Sequence, residues 1–78
     1  MKNNNKTEFL NFIETYKGSY TDFKNIRQWI ESTRRLKKCA TVDELKKEME
    51  KDSYFEKRHF KKLDAAVKFY FANKDLFV

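Results

Sequence analysis

Two residues of this chain are of a type that does nucleophilic or metal chemistry, His59 and Cys39, and each occurs once. A zinc site needs about four ligands at close spacing, and no Cys/His pair is present to start one. A Cys–His couple would need an approach across helices and a third group to orient the imidazole. His59 projects onto the edge of an apolar helical face, where packing is the expected role. The carboxylates stand mostly at helical i, i+4 distance from lysines, so Glu44 and Glu48 are read as a solvated face rather than a metal pair. A single glycine builds no phosphate-cradling loop. The expectations are no catalytic residue, no metal, no cofactor and no enzyme activity.

The remaining chemistry is that of cations. Eighteen Lys and Arg against twelve Asp and Glu give a formal charge of +6, and such an excess favours polyanions. Projected at about 100° per residue, Lys24, Arg27, Arg34, Arg35 and Lys38 fall on one side of a single helix, interrupted by Glu31. Lys57, Arg58, Lys61, Lys62 and Lys68 share the outward side of another. Rows of cations suit a phosphate backbone, because each neutralised phosphate releases counterion. Tyr54 and Phe69 fall among the second set, where an exposed ring can stack on a base; covering the rim of the core is the other role open to them, and it is preferred for Phe69.

The elements that position these residues are helical. Zero Pro and one Gly remove the usual loop punctuation, while eight Phe, four Tyr and one Trp supply a core to a chain of 78 residues, near the lower size limit for folding without staples. The first helix is expected from about Thr7 to Lys17, with Phe9, Phe12, Ile13 and Tyr16 inward, Asn5 or Thr7 as cap and Gly18 ending it in a left-handed turn. The second runs from after Ser19-Tyr20-Thr21 to about Lys38, with Phe23, Ile26, Trp29, Ile30 and Leu36 inward. Thr41-Val42-Asp43-Glu44 is a capping box that opens a third helix with Val42, Leu45 and Met49 inward. Ser53-Tyr54-Phe55-Glu56 reads as another box, opening a fourth helix to about Asn73 with Phe55, Phe60, Leu63, Ala66, Val67, Tyr70 and Phe71 inward. The fold class is therefore all-α, a small four-helix orthogonal bundle, in one domain over 7–78 behind a polar tail over 1–6.

Two stretches, Glu8-Phe9-Leu10-Asn11-Phe12-Ile13-Glu14 and Arg58-His59-Phe60-Lys61-Lys62-Leu63-Asp64-Ala65-Ala66-Val67-Lys68-Phe69-Tyr70, resemble the SAM-like core-binding domain of tyrosine recombinases (integrases). The resemblance implies a DNA clamp without the separate domain that cuts. Thr41 to Ala66 also resembles a helix-turn-helix, whose recognition helix over Ser53 to Leu63 would present Tyr54, Glu56, Lys57 and Lys61 to the major groove. Both imply DNA.

The function expected is thus a non-catalytic DNA-binding module, with RNA as the other polyanion. Its contacts are Lys24, Arg27, Arg34, Arg35 and Lys38 on one surface and Tyr54, Lys57, Arg58, Lys61 and Lys62 on the other. The alternative is a small phage- or plasmid-type protein that modulates a host protein through the apolar tail Leu76-Phe77-Val78. No run of about 20 apolar residues is present to span a membrane, and the lone Cys fits a reducing cytoplasm.

Overall fold

The computed structural model describes residues 6–76 and contains helices only among them. Their order is α1 (Glu8–Glu14), α2 (Thr21–Ser32), α3 (Arg34–Lys37), α4 (Val42–Glu50) and α5 (Lys57–Asn73), followed by a 3₁₀ turn at Lys74–Leu76. The polar tail residues Met1 to Asn5, including the expected cap Asn5, lie outside the described residues, as do Phe77 and Val78. Lys6 is paired with Glu14, and the Thr7 N–H donates to the Ala40 carbonyl at 2.7 Å.

Phe9 and Ile13 of α1 and Phe23, Ile26 and Ile30 of α2 are buried as their spacing sets out; Leu10, which the period did not place inward, is buried with them, while Phe12, Tyr16 and Trp29 are only partly buried. The buried residues meet Leu45 and Met49 from α4, and Leu63, Ala66 and Tyr70 from α5. The rings interlock edge to face, Phe9 with Phe23 at 6.3 Å and with Tyr70 at 5.7 Å. Each fully buried ring or branched side chain contributes about 1.5–3 kcal/mol of transfer free energy. Among the described residues fourteen hydrophobic side chains form one cluster.

Five helices, not four, come from a break at Thr33, whose φ of −127° and ψ of 111° are extended. The reason lies in the angular positions of the residues beyond it. In an unbroken helix Lys37 would lie about 20° and Arg34 about 40° from Ile30, on the buried stripe, while Leu36 would lie about 120° away. The extended residue resets the phase. Leu36 then enters the core, and Arg34 and Lys37 stand in solvent.

The first helix stops at Glu14, short of the expected Lys17, and Gly18 does not adopt the left-handed conformation. Its absent side chain serves a close approach. The Tyr16 ring folds over it, and a Cβ there would stand 2.6 Å from Tyr16 Cζ. The Tyr16 hydroxyl accepts the Tyr20 N–H at 3.0 Å, closing the connection into α2.

The Thr41 cap of α4 forms, but the return bond of the box lands one residue before the cap. Thr41 Oγ1 accepts the Glu44 N–H at 3.1 Å, and Glu44 reaches back to the Ala40 N–H at 2.8 Å. The Ser53–Glu56 box does not form. The Glu56 N–H that Ser53 would take is accepted by His59 Nδ1 instead, and Asp52 accepts the Tyr54 N–H at 3.0 Å. Helix α5 opens three residues later, where His59 Nδ1 accepts the Glu56 N–H at 2.9 Å. Phe55 is buried from the connection rather than from the helix, and Phe71, expected inward, is 49% exposed.

Candidate nucleic-acid interface

His59 and Cys39 are both held by packing. His59 is buried among Trp29, Tyr54 and Phe55, with ring centroids 5.3, 5.2 and 5.5 Å away. Its Nδ1 is committed to the helix cap. The buried Cys39 thiol faces the Arg35 carbonyl at 3.6 Å. Burial raises its pKa above the usual thiol value, and Glu48 and Glu44 raise it further, so little reactive thiolate forms. Among the described residues no three His, Cys, Asp or Glu side chains gather as a metal site.

The cations of the expected first surface are divided by the break at Thr33. Lys24 remains on α2, exposed. Arg27 is half-buried and committed to structure: its Nη1 donates to the Tyr16 carbonyl at 3.0 Å, and its Nε lies 3.1 Å from the Glu31 carboxylate, off the hydrogen-bonding direction. Arg27 therefore clasps the α1–α2 connection. Arg34 and Arg35 stand on α3 with Lys38 as its C-cap, all exposed.

On α5 the same sorting occurs. Lys62 is half-buried and paired with Asp22 of α2 at 3.7 Å, and Arg58 lies 3.3 Å from Glu56. Lys57, Lys61 and Lys68 are exposed and fall within about 40° of one another around the helix. The small residues Ala65 and Ala72 share that outer face and leave it open. Opposite edges of α5 are fixed by ion pairs, Lys62 to α2 and Asp64 to Lys46 of α4. Among the described residues Lys24, Arg34, Arg35, Lys38, Lys57, Lys61 and Lys68 form no ion pair.

Tyr54 stands in the α4–α5 connection rather than on a recognition helix. It is 63% exposed, backed by Phe55 and His59. Six residues, Lys51 to Glu56, separate α4 from α5. Phe69 covers the rim of the core: it stacks on Tyr20 at 4.7 Å and 23°, and sits 6.0 Å from Phe23.

Two grooves join what the sequence treats as separate surfaces. One, about 690 Å³, is walled by Arg34, Arg35, Lys38 and Lys51, with Glu48 and Asp52. The other, about 280 Å³, runs between Trp29 and Tyr54. They share Ser32, Thr33 and Asp52 as walls. The kink at Thr33 thus carries the α3 cations toward the loop that holds Tyr54, a juxtaposition with no signal in helical periodicity. The Glu48 carboxylate in this groove is paired with Lys51 at 3.1 Å, and Asp52 holds the Tyr54 N–H. Comparison with protein-family models, with curated proteins and with solved structures finds no match. Among the described residues no helix is long and apolar enough to cross a membrane.

Proposed function

We propose that this protein is a non-catalytic DNA-binding module that contacts phosphates through the outer face of α5 and the exposed cations of α3. The observation that carries the reading is the sorting of the lysines and arginines. Arg27, Arg58 and Lys62 lie against carboxylates, whereas Arg34, Arg35, Lys38, Lys57, Lys61 and Lys68 stand exposed and form no ion pair among the described residues, the acids near them being engaged elsewhere: Glu48 with Lys51, Asp64 with Lys46 and Asp52 with the Tyr54 N–H. Cations that only solubilise a surface have no need to be spared in this way, and cations that meet phosphate do. Lys57, Lys61 and Lys68 span about 16 Å of helix, a length over which a duplex offers several phosphates. Such a module acts as the core-binding domain of a recombinase does, gripping DNA while chemistry is done elsewhere, and it works in the cytoplasm.

The test is binding to a mixed-sequence duplex across a salt series. Affinity should fall with a log–log slope of about −0.9 per phosphate contacted. Reversing Lys57, Lys61 and Lys68 to Glu should remove most of it, with helicity unchanged. A flat salt profile, or undiminished binding after those reversals, would sink the reading. The second reading, a protein that docks on a host protein, draws on exposed Phe71 and on Leu76, which is 78% exposed. Its expected tail partners Phe77 and Val78 lie outside the described residues. A partner captured through that end would survive the reversals and be lost on Leu76→Asp.

A further inference from the structure

We infer that the paired grooves at the α2–α3 kink take a single-stranded segment of nucleic acid, a base on Tyr54 and its phosphates on Arg34, Arg35 and Lys38. This rests on the nucleic-acid reading above and adds the strandedness of what is bound.

Three features of the site converge on a nucleotide. Tyr54 is the most exposed ring among the described residues. It is presented rigidly, because Asp52 holds its N–H at 3.0 Å and Phe55 and His59 back its ring. The groove beside it is lined by a second aromatic residue, Trp29. A short way along the shared wall of Ser32 and Thr33, three exposed cations on α3 stand without an acid partner. Of the two acids in that groove, Glu48 is paired with Lys51 and Asp52 accepts the Tyr54 N–H.

An aromatic face next to a cationic track is the arrangement that binds unpaired strands, since every base has a π-face to offer and the backbone follows the charge. In a duplex those faces are stacked inside and do not reach Tyr54. The α5 stripe has a different character, with three lysines along an open helix face and the exposed Phe71 only at its C-terminal end, and it suits a duplex backbone.

The probes are a 12-nucleotide oligo(dT), an abasic deoxyribose-phosphate oligomer of equal length and a 12-base-pair duplex. Binding is followed by anisotropy and by quenching of Trp29, the single tryptophan. Oligo(dT) should quench Trp29 and bind roughly tenfold or more tighter than the abasic strand. Tyr54→Ala should remove that advantage while leaving abasic and duplex binding unchanged, and Tyr54→Phe should keep it. Arg34→Ala with Arg35→Ala should weaken both single strands. The inference is overturned if Tyr54→Ala binds oligo(dT) as the wild type does, or if the abasic strand binds equally well. In that event duplex binding that still falls on reversing Lys57, Lys61 and Lys68 leaves the DNA reading standing. Absence of binding to all three probes removes both.

Discussion

Single side chains settle several roles in this protein. Tyr70 is buried and donates to Glu8 at 2.7 Å, with Lys74 Nζ 3.1 Å from the same carboxylate oxygen. Burial, and then the hydrogen bond to Glu8, push the phenol up to about 12. The Tyr70 and Lys74 hydrogen bonds hold the Glu8 carboxyl below its usual value. For Tyr70 the folded state retains the proton that the unfolded chain releases near pH 10, so its contribution is complete below pH 10 and lost between about 10 and 12. For Glu8 the sign is reversed: the contribution is present above the ordinary carboxylate value and fades as pH falls through the lowered one. Denaturant midpoints measured from pH 8 to 12 should therefore decline above pH 10, and Tyr70→Phe should lose about 1 kcal/mol at pH 8 while flattening that decline. Gly18 supplies a second residue-scale expectation. Gly18→Ala should cost about 1–3 kcal/mol, because the added methyl meets the Tyr16 ring. In a Tyr16→Ala background the same change should cost almost nothing, and thermal melts of the four variants would show the coupling.

At the scale of elements, the break at Thr33 organises the molecule. Helical periodicity finds α2 and its buried stripe but carries the helix on to Lys38, because Leu36 looks like one more apolar position. Its phase is wrong by about 120° relative to Ile30, and the extended Thr33 corrects it. Leu36→Ala should thus cost about 2–5 kcal/mol, whereas Lys37→Ala should stay within about 0.5 kcal/mol. An unbroken helix would rank them the other way, so chemical denaturation of the pair tests the break. The start of α5 shows a similar competition. A Ser-x-x-Glu pattern promised a cap at Ser53, but the Glu56 amide that Ser53 would take is accepted by His59 Nδ1, while Asp52 takes the Tyr54 amide. The helix then opened at Glu56 and His59, leaving Tyr54 in the connection and free of the helix surface.

Across the whole molecule, cations are divided between clasps and open rows. Lys62 and Lys46 tie α5 to α2 and α4, and Arg27 closes the α1–α2 turn. Lys57, Lys61 and Lys68 tie nothing. Reversing those three should change stability by no more than about 0.5 kcal/mol each while removing most of the salt-sensitive duplex binding. Arg27→Glu should instead lower the melting temperature, since it leaves the Tyr16 carbonyl without its donor and sets a second acid beside Glu31. Melting curves and duplex titrations on the same two variants separate the clasp from the open row.

Composition and period were enough to determine an all-helical chain, Phe9 and Ile13 of α1, Phe23, Ile26 and Ile30 of α2 and Leu45 and Met49 of α4 as inward residues, the cap at Thr41 and the packed state of His59. These are local properties, set within a few residues by angle and by nearby amides. What period alone did not reveal is where the second helix changes phase, that Phe71 faces solvent, and which cations are consumed by Tyr16, Asp22 or Glu56. Each of those depends on a partner elsewhere in the fold or on competition between two acceptors for one amide. The meeting of Tyr54 with the α3 cations belongs to the same class: 15 residues of sequence lie between Lys38 and Tyr54, and only the packing of the kink against the α4–α5 connection puts their grooves side by side.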